Sequence, residues 1–229
     1  HREERFFQTL FQEMMADPLI RRRVDAILSV TDHDPILAAS GHEAERDLPG
    51  SPRFQESGWW VQMLTRYALG MHYGRGKLVL DSCSGLGWGA YLLDSVARRV
   101  VAVEFDRATI ELSGEFWPTT RTHRVRGSVL DLCLPDQSHD VALAMERIEH
   151  FSQSDIRRYL DELQRVLKPG GMLVGSSVFP QTLEEAETLC ARNPWHLHIC
   201  TRSEMEALLK ERFGSWSIAF NGLFFWARK

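Results

Sequence analysis

The chain has 229 residues, 44% of them hydrophobic and 25% charged, which suits one α/β domain with a small addition and an ordinary globular core. A formal net charge of −4 lacks the basic footprint of a nucleic-acid or anionic-membrane binder, so Arg21–Arg23 and Arg121, Arg124 and Arg126 read as solvated faces. Cys83, Cys133, Cys190 and Cys200 show no zinc-finger or C-x-x-C spacing, and no apolar run reaches bilayer length, so a cytoplasmic protein with free thiols and no membrane span is expected.

Apolar pairs at Phe6/Phe7, Leu10/Phe11 and Met14/Met15 recur every four residues and predict an amphipathic helix. Asp17-Pro18 reads as the cap and first residue of a second helix, toward Leu28. Thr31 to Pro52 is polar and punctuated by proline and glycine, the pattern of a loop or lid. Trp59 to Met71 is helical in spacing. After it come a short apolar run, Leu78–Leu80, ending in Asp81, a small-residue stretch Ser82-Cys83-Ser84-Gly85-Leu86-Gly87, an amphipathic segment through Ala97, and a β-branched run Val100–Val103 ending in Glu104.

Further on, Arg107–Trp117 predicts a helix stopped by Pro118, and His123–Leu130 and Asp140–Met145 predict strands. Ser154 is the expected cap of a helix bearing Leu160, Leu163, Val166 and Leu167, which Lys168-Pro169-Gly170-Gly171 ends. Met172–Phe179 is the fifth strand. Thr201 and Glu204 form a capping box for a helix to Phe213. Ser217–Phe220 and Leu223–Ala227, around Asn221-Gly222, read as a closing hairpin.

Strand, glycine loop, helix, strand and acid together make a nucleotide-binding βαβ unit. Glycine lets the backbone approach a ligand, and a carboxylate about 20 residues on can take both ribose hydroxyls. A dinucleotide oxidoreductase using NAD(P) would share this unit, with Gly85-x-Gly87-x-x-Ala90 a loose match to its spacing. Asp81 argues otherwise: a carboxylate there repels a pyrophosphate but can fix an amino group.

With VLDSCSGLGWG, VVAVEFD, RGSVLDLCLPDQSHDVALAMERIEHF and LKPGGMLV in this order, the chain from Lys77 to Lys229 resembles the class I S-adenosylmethionine-dependent methyltransferases. Glu45–Ser51 and Arg66-Tyr67-Ala68 resemble more loosely a bacterial subgroup associated with glycan and cell-surface modification. The resemblance implies a doubly wound, Rossmann-like, seven-stranded, mostly parallel sheet with an antiparallel C-terminal hairpin. It makes residues 74–229 the cofactor-binding domain and residues 1–73 a helical cover with a lid loop.

It further implies S-adenosylmethionine as cofactor. Asp81 and the backbone of Ser82, Cys83, Gly85 and Gly87 would hold the amino-acid end, Glu104 the ribose, Phe105 the adenine face, and Ser128 and Val129 the adenine edge. Two residues depart from the family pattern: Cys83 stands where its first loop glycine falls, and Ser128 where an aspartate often follows the third strand.

Methyl transfer to a hydroxyl calls for a base near the fourth strand, and Glu146, Glu149 and His150 fall there. His150 has the intrinsic pKa for the task, though it equally suits a structural role at a helix start. Trp195, His196 and His198 follow the fifth strand, either lining the acceptor pocket or packing as a loop with an aromatic plug. No carboxylate or cysteine stands near them at ligand spacing, so no metal is expected. The expected acceptor is a small molecule or glycan, with a homodimer as one use of the apolar N-terminal helices. A non-catalytic cofactor-binding module that docks a partner protein is the remaining alternative.

Overall fold

The computed structural model describes residues 2–31, 48–219 and 222–229. Two compact units divide after Arg126. In the first, α1 (Arg2–Ala16) buries Phe7, Leu10 and Met14, and α2 (Pro18–Ser29) buries Ile20, Val24 and Ile27. The Asp17 carboxylate accepts from Leu19 N at 2.9 Å and Ile20 N at 3.2 Å, capping α2 as expected. Of the predicted loop, residues 32–47 lie outside the described residues, and its end, residues 48–51, turns into a short helix, α3 (Pro52–Ser57), with proline at its first position. α4 (Trp59–Gly74) packs against α1.

The first-unit strands β1 (Leu78–Ser82), β2 (Arg99–Glu104) and β3 (Thr122–Arg126) pair in parallel. Between them run α5 (Trp88–Leu93) and α6 (Arg107–Phe116). α5 stops four residues short of Ala97. Asp94 there accepts from Arg121 N at 2.7 Å, Thr122 Oγ1 at 2.9 Å and Arg23 Nη2 at 3.0 Å, which draws the chain out of the helix. Arg23 also donates to the Tyr91 carbonyl, so α2 is pinned to the end of α5.

The second unit holds β4 (His139–Met145), a 3-10 turn (Ile148–His150), α7 (Gln153–Val166), β5 (Leu167–Ser176), α8 (Leu183–Ala191), α9 (Arg202–Lys210), β6 (Ser215–Ala219) and β7 (Phe224–Arg228). α7 buries Ile156, Tyr159, Leu160, Leu163 and Val166 along one stripe. β4 and β5 are parallel, and β7 pairs antiparallel with both β5 and β6. The seven strands have the order β3-β2-β1-β4-β5-β7-β6, the mixed, mostly parallel Rossmann-like sheet that was expected.

Four local expectations need correction. The third strand ends at Arg126, not Leu130; the Ser128 hydroxyl accepts Leu130 N at 3.2 Å, a local bond that replaces the ladder. Ser152, not Ser154, caps α7, accepting Asp155 N at 3.2 Å. Lys168–Gly171 lie inside β5 as a register shift, with Gly170 at φ +76°. α8, unforeseen, begins with a Thr182/Glu185 capping box of the kind that Thr201/Glu204 forms on α9. The closing hairpin is present, but Phe220 and Asn221 at its tip lie outside the described residues.

Candidate functional site

In the first unit the candidate residues gather at the carboxyl ends of β1 and β2. The loop after Ser82 turns through three left-handed residues, Cys83 at φ +59°, Gly85 at +54° and Gly87 at +80°. Cys83, in the position where the family has glycine, therefore carries the cost of a side chain in that conformation. A Cβ on Gly87 would lie 1.9 Å from Ser113 Oγ, so only glycine fits. A Cβ on Gly85 would meet no protein atom within 4 Å, so its backbone faces open space, as a ligand cradle requires.

Glu104 shapes this loop. Its Oε2 accepts Gly85 N at 3.0 Å, and its Oε1 accepts Phe105 N at 2.9 Å and Asp106 N at 3.0 Å. The carboxylate thus joins the glycine loop to the start of α6, while Phe105 beside it exposes 72% of its surface. Ser82 is buried.

Asp81 is buried at the last turn of β1, and Tyr67 Oη of α4 donates to its carboxylate at 3.3 and 3.5 Å. Burial raises the Asp81 pKa to about 7; the Tyr67 hydrogen bond opposes the rise and the Glu104 charge adds to it. Such a carboxyl is poised to ionise when a cation arrives. Tyr67 lies over α5, where a Cβ on Gly89 would sit 1.9 Å from its ring, and it meets Trp88 edge-on at 4.7 Å. Sequence reasoning placed Tyr67 on a helix and in a loose subgroup resemblance and gave it no role at the site.

In the second unit, Ser128 spends its hydroxyl on Leu130 N and Val129 is buried. Glu146 follows β4 with φ +44°, an unusual conformation for a side-chain-bearing residue, and its N–H donates to Ser176 O at 2.9 Å. Glu149, from the 3-10 turn, is buried and accepts Ser177 Oγ at 2.8 Å. Burial, and next the Glu146 charge, push its pKa to about 8, against the opposing pull of its own backbone N–H, Ser177 and Arg147.

The loop of Trp195, His196 and His198 packs against the 3-10 turn. Leu197 N and His198 N donate to Glu149 O at 2.9 and 3.4 Å. His150 and His196 stack edge-to-face with ring centres 5.2 Å apart. His150 Nδ1 lies 3.2 Å from the Trp195 carbonyl, and His196 Nε2 lies 3.1 Å from Asn193 Nδ2. Trp195 is 55% exposed, so it is no buried plug. His198 turns away to Glu204 Oε1 at 3.3 Å. Ser177 had no role in the sequence reading; nothing in its spacing sets it apart.

Comparison with known proteins bears on this arrangement. Residues 79–171 match the methyltransferase domain family. A Mycolicibacterium smegmatis protein named "Probable S-adenosylmethionine-dependent methyltransferase" is 32% identical over 166 residues, 72% of this chain and 62% of the relative. A Mycobacterium tuberculosis protein of the same description is 32% identical over 146 residues, 64% of this chain and 51% of the relative. The chain therefore spans between half and two thirds of the length of these curated relatives. Among solved structures, the YcgJ protein of Bacillus subtilis superposes with a TM-score of 0.60 at 20% identity, over 66% of this chain and 69% of that one, a likeness of fold.

Proposed function

The chain carries a methyltransferase domain of the class I S-adenosylmethionine-dependent family, and from that membership we propose that it moves a methyl group onto a hydroxyl of a small-molecule or glycan-type acceptor. S-adenosylmethionine is the family's cofactor, and when bound it supplies a methyl on a positively charged sulfur. The residues of the first unit fit that molecule: Gly85 leaves open space over its backbone, and Asp81 is a buried carboxyl whose hydrogen-bond partner is the Tyr67 hydroxyl.

The observation that carries the reading is the pairing of these two features on one loop. Asp81 gives up its proton to hold the ammonium of the cofactor's amino-acid end, with Tyr67 keeping the carboxylate in place. The backbone from Ser82 to Gly87 lies along that end. Glu104, whose oxygens accept loop N–H groups, would take the ribose hydroxyls, and the exposed Phe105 would cover the adenine. Val129 and Ser128 are the proposed neighbours of the adenine edge.

For the acceptor, Glu146, His150 and His196 are the proposed polar groups. A neutral imidazole that orients a hydroxyl and takes its proton would speed transfer by about 10²–10⁴-fold. The test has two steps. S-adenosylhomocysteine should raise the melting temperature of the wild-type chain, and tritiated methyl should pass from the cofactor to members of a panel of sugars and phenols. Absence of stabilisation at millimolar S-adenosylhomocysteine, or equal stabilisation by NADH, would overturn the reading.

A further inference from the structure

We propose that Glu149, His150 and His196 bind a divalent first-row transition-metal ion. Each offers one donor atom, and the three atoms lie within 4.8 Å of one another. Two imidazoles and a carboxylate are a donor set that zinc, iron and manganese accept, with positions left for water or a substrate oxygen. Donors bound at about 2.1 Å to one ion lie about 3 to 3.4 Å apart, so side-chain rotations closing about 1.5 Å complete the shell.

The backbone is already arranged for it. The two hydrogen bonds from Leu197 and His198 to the Glu149 carbonyl tie the loop carrying His196 to the turn carrying the other two ligands. The Trp195 carbonyl accepts the Nδ1 proton of His150, which directs the Nε2 lone pair away from it; an outer carbonyl partner of this kind is what orients a ligating histidine. His196 Nδ1 is buried with no hydrogen-bond partner among the described residues.

Asn193 Oδ1 accepts Trp195 N at 3.0 Å, so its Nδ2 faces His196 Nε2 and places the ring proton on Nδ1 in the metal-free protein. Binding at Nδ1 uses the other tautomer: the ring proton moves to Nε2 with no net release, and Asn193 Oδ1 turns from Trp195 N to accept it. Glu149 is the anionic ligand of the set: its carboxyl is buried and held by Ser177 Oγ at 2.8 Å.

A second group, His198, Cys200 and Glu204, is equally compact but already committed. Glu204 Oε2 accepts Thr201 N in the capping box of α9, and burial holds Cys200 as a thiol. The ion is therefore assigned to the first group. This assignment stands whether or not the chain transfers methyl groups.

Isothermal titration of the chelator-treated chain with ZnCl₂ tests it. One equivalent should bind with micromolar or tighter affinity, and Co²⁺ at the same site should give visible d–d absorption. H150Q/H196Q, folded by circular dichroism, should weaken Zn²⁺ binding at least tenfold and lose the cobalt spectrum, while H198Q keeps both. With nine histidines in the chain, this comparison separates the site from stray binding. Should the double variant fold poorly, H196Q alone is judged by the same tenfold criterion. No uptake at millimolar Zn²⁺, or equal uptake by the His150/His196 variants, overturns the proposal.

Discussion

Glu104 Oε2 accepts the backbone N–H of Gly85 at 3.0 Å, so the carboxylate ending β2 holds the glycine loop that follows β1. The same side chain takes the N–H groups of Phe105 and Asp106. One residue thus sets the loop's shape before any ligand arrives, and a loop so held spends less ordering entropy on binding.

Glu104→Ala should accordingly lose both the ribose acceptor and the loop anchor. S-adenosylhomocysteine affinity, measured by titration calorimetry, should fall at least tenfold, about 1.4 kcal/mol. Glu104→Gln keeps a carbonyl oxygen for the loop and should fall less. Equal affinity in the alanine variant would show that Glu104 faces no ligand.

Two glycines of the loop and one in the first turn of α5 should respond differently to alanine. Gly85→Ala costs about 1 kcal/mol for its left-handed conformation and meets no protein atom. It should melt within a few degrees of the wild type yet bind S-adenosylhomocysteine poorly. Gly87→Ala and Gly89→Ala place a methyl 1.9 Å from Ser113 Oγ and the Tyr67 ring. Each should cost about 1–3 kcal/mol, which calorimetric melting would register as about 2–4 °C per kcal/mol.

Cofactor binding should strengthen as pH rises through 7. Asp81, with its pKa raised to about 7 chiefly by burial, is largely protonated in the free protein at pH 6 and must ionise to hold an ammonium. Below the pKa, affinity should drop by about tenfold per pH unit. Calorimetry in buffers of differing ionisation enthalpy should detect the released proton, and Asp81→Asn should bind weakly with no pH dependence.

Stability follows Asp81 with the opposite sense. Its folded pKa lies above the unfolded value of 3.8, so its contribution is fully present below pH 3.8 and is lost as pH rises toward 7. The melting-temperature gap between Asp81→Asn and wild type should therefore widen in favour of asparagine from pH 4 to 7.5.

Asp94 behaves in reverse. Burial alone would raise its pKa, but Arg121 N–H, Arg23 and Thr122 outweigh that and hold it below the ordinary range. Its contribution is present above the unfolded pKa and lost as pH falls through the folded one. Asp94→Ala removes the acceptor shared by Arg23, Arg121 N and Thr122 Oγ1 and should cost about 1–3 kcal/mol in chemical denaturation. A loss under 1 kcal/mol would mean that α2 is held without the Asp94 carboxylate.

Much of this protein can be read residue by residue. The alternation of strands and helices, the Asp17 and Thr201 caps, the turn through Gly85 and Gly87, and the carboxylates ending β1 and β2 each depend on a few adjacent residues, and short-range hydrogen bonds and backbone sterics decide them. The departures arise where a distant partner competes. Asp94 ends α5 early because it meets Arg23, Arg121 and Thr122, which lie 27 or more positions away.

The site shows the same division. Asp81 and Glu104 announce themselves by position, but the Tyr67 hydroxyl that reaches Asp81 comes from a different helix, and its spacing there signals only burial. Glu149 and His150 stand 46 or more positions from His196, and hydrogen bonds from the 197–198 backbone to Glu149 O and from His150 to Trp195 O bring them into reach. Local chemistry in the sequence determined the nucleotide-type loop and the secondary structure. Tertiary packing alone decided which buried carboxyl meets which hydroxyl or imidazole, because those meetings depend on strand register and helix placement that no short stretch of chain encodes.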